Sequence, residues 1–239
     1  LSFGKSLSGH RMLSRAEALE EVSGLRKQQL KAAALYCDAQ VEFAERLVLE
    51  NVLSAAQSGA SVITYAKVHQ MGPQDQSLIE LEITNQLTGE TSRASGRIVI
   101  NAAGPWVDTL LDDTDGPKLI GGTKGSHIVV AGFPGAPRTA LYVEAANDGR
   151  PFFIIPWNGN YLIGTTDIRY EGDLDDVNIS SDETDYLLNE TNRVIPGAGL
   201  TRDSILFSYS GVRPLPFTSG QGEQSITRRH FIRPHPRLS

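Results

Sequence analysis

The sequence predicts a mixed α/β fold (α/β with α+β character) in two lobes, an α/β lobe followed by a mostly antiparallel sheet. Three observations carry this. Over residues 38–68 a long amphipathic helix pattern runs straight into a β-rich run. Over residues 77–106 apolar runs are parted by the turn-forming LTGE. From Lys118 onward short strands follow one another, with Gly, Pro and Asn between them.

In order along the chain, LSRAEALEEV opens a first helix, since Ser14 and Glu17 have capping-box spacing and Leu13 can staple the entry. In the second helix Val41, Ala44, Leu47, Val48, Val52 and Ala55 recur at helical spacing, and Gly59 stands where a C′ glycine would end it. ASVITYAKV then reads as a strand, so residues 38–68 resemble the α-then-β half of a parallel crossover unit. SLIELEITN and TSRASGRIVINAAG predict antiparallel ribbons, with Ile98, Val99 and Ile100 in a buried strand. HIVVAG, TALYVEA, PFFIIPW and YLIGTTD predict the strands of the second lobe. A second capping box, Ser180 with Glu183, starts a helix that Pro196 and Gly197 stop.

Composition excludes several functions. The net charge of -6 offers no basic surplus for phosphodiester backbones, so no nucleic-acid partner is expected. Cys37 is the single cysteine, which rules out an intramolecular disulfide and a cysteine metal cluster, and no metal is expected. Its aliphatic neighbours favour a packing role for it. No apolar run approaches the roughly 20 residues of a membrane helix.

Three short motifs carry chemistry. In INAAGPW, Ala102, Ala103 and Gly104 leave the backbone bare at a strand end, which suits either a flat or phosphorylated ligand or a tight turn needing glycine for itself. In SGVRPL, Arg213 sits on a stiff backbone before Pro214, with a planar fork suited to phosphate or carboxylate, or to a surface ion pair. In KGSHIVV, Lys124, Ser126 and His127 crowd the threshold of a buried strand. Either this is a polar loop with a structural histidine, or Gly125 brings the chain near a ligand that His127 serves as acid, base or donor. Strand alternation places Lys124 and Ser126 on one side and His127 on the other.

The series ALYCDAQV, INAAGPWVD, KGSHIVV, IIPWNGNYLIGTTD, YSGVRPL and SITR closely resembles the FAD-dependent glycerol-3-phosphate dehydrogenases, flavoproteins of the amino-acid-oxidase superfamily, from about Leu13 to Arg228. The resemblance implies oxidation of sn-glycerol 3-phosphate to dihydroxyacetone phosphate, with hydride transfer to FAD and reoxidation by quinone or oxygen. It implies residues 1–37 as a leading helical segment, 38–117 as a partial, Rossmann-like FAD-binding domain, 118–216 as the substrate-binding domain and 217–239 as a return segment. Val68, Ala102, Ala103 and Gly104 would lie by the cofactor. His127 and Arg213 would be catalytic, with Arg213 on the phosphate, and Lys124, Ser126 and Thr166 would join Arg213 at the substrate. A sister oxidoreductase acting on a 2-hydroxy acid or amino acid, or a non-catalytic remnant, are the alternatives. No Gly-x-Gly-x-x-Gly precedes Leu13 and no glycine- and lysine-rich flavin segment follows SITR. The sequence therefore reads as the middle of a longer enzyme, expected to bind FAD weakly or not at all by itself. It is expected to be cytoplasmic, with a peripheral membrane contact and a homo-oligomer left open.

Overall fold

The computed structural model describes residues 9–73, 77–111, 118–219 and 226–234. Its first elements are β1 (Arg11–Ser14), α1 (Arg15–Glu21), β2 (Ala32–Leu35), α2 (Ala44–Gln57), β3 (Ala66–Pro73), β4 (Ile79–Asn85) and β5 (Thr91–Gly96). After a 3-10 turn over Gly104–Leu110 come β6 (Thr123–Val130), β7 (Leu141–Glu144), β8 (Pro151–Trp157), β9 (Asn160–Gly164), β10 (Ile168–Arg169), α3 (Ser181–Val194) and β11 (Ile205–Arg213). They fall into two compact units interleaved along the chain, one of Leu1–Glu42, Lys124–Ile168 and Asp175–Gly211, the other of Phe43–Thr123, Arg169–Leu174 and Val212–Ser239.

The first unit is built on a six-stranded sheet of order β10-β6-β9-β8-β7, with β11 also on β6. Its alternation is plain: Phe152 and Ile154 are fully buried while Phe153 between them is 36% exposed. Ile128, Val130, Phe152, Ile154 and Ile163 pack against Leu187, Leu188 and Val194 of α3. Each such side chain contributes about 1.5–3 kcal/mol by leaving water. The opposite face of the sheet, carrying Phe153, is not part of this core.

Both capping boxes form as the spacing predicts. Glu17 N–H donates to Ser14 Oγ and Ser14 N–H to the Glu17 carboxylate, and Leu13 is buried at the helix entry. At α3, Ser180 N–H donates to Glu183 and Glu183 N–H to Ser180 Oγ. On either side of α1 the chain pairs: β1 before it and β2 after it form a two-stranded antiparallel ribbon, which the helical reading of residues 1–37 did not contain.

In the second unit, β3, β4 and β5 form an antiparallel meander. Its turn is closed by Asn85, whose side chain accepts from Leu87 N–H and Thr88 N–H. α2 ends as expected on Gly59, at φ +93°, a left-handed conformation glycine adopts without strain.

Three expectations are corrected, two of them in this unit. β3 lies at Ala66–Pro73, downstream of the start of ASVITYAKV, and pairs antiparallel with β4 rather than closing a parallel crossover. Ile98, Val99 and Ile100 form no strand, and Ile98 and Ile100 are 80% and 83% exposed. The apolar stripe of α2 is uncovered too, with Leu47 and Val48 more than half exposed. The physical reason is shared: a hydrophobic period states which face needs covering and does not supply the partner. Cys37 is exposed, in a segment without helix or strand, and packs in no core. Among the described residues no helix is long and apolar enough to cross a membrane.

Candidate functional site

β6 carries the KGSH motif inside the strand, and its two faces do different things. On the α3 side, Lys124, Ser126 and Thr166 all converge on Glu183. Lys124 Nζ donates to Glu183 Oε2 at 2.8 Å, while Ser126 Oγ and Thr166 Oγ1 each donate to Oε1 at 2.7 Å. Thr166 Oγ1 in turn accepts from Ser126 N–H at 2.9 Å, so Ser126 is held by main chain and side chain together. Ser210 of β11 lies 2.7 Å from Ser126 Oγ, whose own hydrogen points to Glu183, so that Ser126 accepts here. Lys124 Nζ also donates to the Asn178 carbonyl at 2.8 Å. Lys124 and Glu183 are 6% and 5% exposed, so this is a buried ion pair with its oxygen acceptors used up.

Burial by itself would raise the Glu183 carboxyl, but donation from Lys124, from the Ser180 main chain, and from Thr166 and Ser126 outweighs it and carries the pKa from the ordinary 4.5 down to about 2. A carboxyl more acidic in the folded chain than in the unfolded one stabilises the fold fully above about 4.5, and that contribution drains away as pH falls towards 2. Glu183→Gln should therefore flatten the acid limb of the urea midpoint below pH 4.5, and an unchanged acid limb would count against the network.

The other face of β6 presents His127, half-buried. The alternation expected within KGSH is seen: Lys124 and Ser126 look towards α3, while the His127 ring stacks on Tyr209 of β11, centroids 4.9 Å apart at 13°. Phe207, two residues earlier on β11, lies with its ring 6.3 Å from that of Tyr209. Across the sheet His127 is opposite Gly164, Gly164 opposite Phe153, and Phe153 opposite Tyr142. The Tyr142 and Phe153 rings meet edge to face at 5.3 Å. The result is a row of rings across an exposed face, with a glycine at its centre and an imidazole beside it. It offers flat apolar surface with one imidazole set into it.

The remaining expected residues belong to the second unit. Arg213 is half-buried at the end of β11, where its carbonyl accepts from Leu215 N–H at 2.9 Å and Pro214 follows. Val68 is half-buried in β3. Gly104, at φ +59°, needs to be glycine for its own turn, and Asn101 ties that turn by donating to the Val107 carbonyl and accepting from Ala103 N–H. A Cβ built on Gly104 would meet nothing within 4 Å, so the bare backbone is also open to an approaching group.

Sequence reasoning placed Lys124, Ser126 and Thr166 beside a substrate; the structure buries all three around Glu183. Glu183 was visible as a capping residue, but nothing local showed that it also accepts from Lys124. A lysine ahead of a run such as HIVV needs a buried anion, and that was the available signal. Tyr209 and Gly164 went unremarked, because their importance follows from strand register.

Comparison with known proteins gives this arrangement a setting. A model of the family described as FAD dependent oxidoreductase matches residues 3–237. A glycerol-3-phosphate dehydrogenase of Synechocystis sp. is 51% identical over 98% of this chain and 45% of its own length. The aerobic glycerol-3-phosphate dehydrogenase of Staphylococcus aureus is 31% identical over 93% of this chain and 40% of its own. The solved glycerol-3-phosphate dehydrogenase of Bacillus halodurans, complexed with FAD, superposes with a TM-score of 0.76 at 34% identity, covering 86% of this chain and 42% of that one. The chain thus spans less than half the length of the curated relatives it matches.

Proposed function

The chain belongs to the FAD dependent oxidoreductase family, and from that membership we propose that these residues are the substrate-facing part of an enzyme oxidising sn-glycerol 3-phosphate to dihydroxyacetone phosphate. The observation that carries the substrate is the 51% identity to a glycerol-3-phosphate dehydrogenase along 98% of this chain. The activity is that of a longer chain. The uncovered α2 stripe and the exposed Ile98 and Ile100 suit surfaces that further residues cover.

FAD, when bound, supplies the acceptor for the hydride equivalent lost from C2. Val68 and the open backbone at Ala102, Ala103 and Gly104 would hold part of it, consistent with the room above Gly104. His127 takes the proton of the C2 hydroxyl, a role that suits an imidazole on an exposed face, backed by a ring. Arg213 grips the phosphate with its fork, anchoring one end of a three-carbon substrate so that C2 is placed. Lys124, Ser126 and Thr166 act from behind the strand, holding His127 at its station through Glu183. The electrons leave to quinone or to oxygen, and a peripheral membrane contact would fit the former.

Anaerobic addition of glycerol 3-phosphate to the full-length protein should bleach its flavin absorption, while lactate and proline should not. Bleaching by either alternative alone would overturn the substrate assignment. Arg213→Ala should raise KM for glycerol 3-phosphate about ten- to a hundredfold, the worth of a charge-assisted phosphate contact, and change kcat far less. An unchanged KM would remove Arg213 from the phosphate.

A further inference from the structure

We infer that Gly164 and Tyr209 are positioning residues that together seat the His127 imidazole, the glycine as the floor on which the ring lies and the tyrosine as the plate stacked against it. The inference rests on the proton-transfer role proposed for His127.

The geometry is specific. Gly164 is the cross-strand partner of His127, and a side chain there would share the open face with the imidazole. A Cβ built on Gly164 would fall inside van der Waals contact of His127 Cδ2, 2.8 Å from Cγ and 3.0 Å from the Ser126 carbonyl oxygen. Ser126 cannot give way, because its N–H and Oγ are tied to Thr166 and Glu183. Only the ring could move. On its other side the ring meets Tyr209, nearly parallel at 4.9 Å. Ser210 follows Tyr209 and is bonded to Ser126, so the plate and the ring's own strand are fixed to each other. The imidazole is thus confined by a glycine that keeps its place empty and a ring that keeps it from swinging out. A general base displaced by about 1 Å can cost a hundredfold in rate, which is why such seating matters.

The test uses the full-length flavoprotein and four variants: Gly164→Ala, Tyr209→Leu, Tyr209→Phe and His127→Ala. Gly164→Ala and Tyr209→Leu should each lower kcat about ten- to a hundredfold with KM within about threefold of wild type, and Tyr209→Phe, which keeps the ring, should retain most of kcat. In a His127→Ala background neither change should lower kcat further, since there is no ring left to seat. A second readout needs no turnover. The His127 ring-proton resonance, assigned by its loss in His127→Ala, should sit in the ring current of Tyr209, keep its shift in Tyr209→Phe and move in Tyr209→Leu and Gly164→Ala. Should Gly164→Ala fail to fold, the tyrosine pair still decides. Wild-type kcat and unmoved resonances in Gly164→Ala and Tyr209→Leu, or losses that multiply with His127→Ala, would overturn the seating while leaving the role of His127 intact. A His127→Ala enzyme with wild-type kcat would overturn that role, and the seating with it.

Discussion

Glu183→Ala should cost about 3–5 kcal/mol of folding stability, the usual penalty for stranding one partner of a buried ion pair. Four donors lose their acceptor at once: Lys124 Nζ, Ser126 Oγ, Thr166 Oγ1 and the Ser180 main-chain N–H. Lys124, 6% exposed, would lose its buried carboxylate while its bond to the Asn178 carbonyl stays. The same substitution removes half of the α3 capping box, worth about 1 kcal/mol more. Urea denaturation of the full-length protein measures the sum, and a loss below about 1 kcal/mol would show that the network is not buried in solution. Replacing the pair by apolar residues, Lys124→Met with Glu183→Leu, should recover only part of the loss. The ion pair would be gone, yet the hydroxyls of Ser126 and Thr166 would still lack their shared acceptor.

This network also shows what a sequence can and cannot disclose. Ser14 with Glu17, Ser180 with Glu183, and Gly59 after α2 were readable because a cap involves residues three or four apart. The serial strands from β6 to β9 were readable because period-two alternation and turn residues are local too. The sidedness of KGSH followed from the same period. What Lys124 faces depends on where α3 docks, 57 residues separating Ser126 from Glu183, and no window of sequence holds both. Gly164 beneath His127 is a fact of register between β6 and β9, which a one-residue slip would abolish. Ile98 to Ile100 failed for the converse reason: the pattern of a buried strand was present, but burial is a property of the partner as much as of the strand.

His127→Ala in the full-length enzyme should lower kcat by roughly a hundredfold or more, with KM for glycerol 3-phosphate little changed. The split follows from the division of labour proposed above. Arg213 supplies phosphate binding in ground and transition state alike, so its loss appears in KM, whereas His127 acts on a proton that moves only as the C2 hydride leaves, so its loss appears in kcat. The alanine removes the ring without touching the tethers of β6, since Ser126 N–H and Oγ and Lys124 Nζ make their bonds on the opposite face. Stability and FAD content should therefore match the wild type, which separates this variant from Glu183→Ala. Raising the pH should restore part of the lost rate, because the substrate hydroxyl can then give its proton to solvent base without the imidazole. Steady-state kinetics across pH 6 to about 9, with flavin content measured on the same samples, would check both statements. A wild-type kcat with FAD bound would make the histidine a packing residue on Tyr209 and leave the proton acceptor to be sought elsewhere in the longer chain.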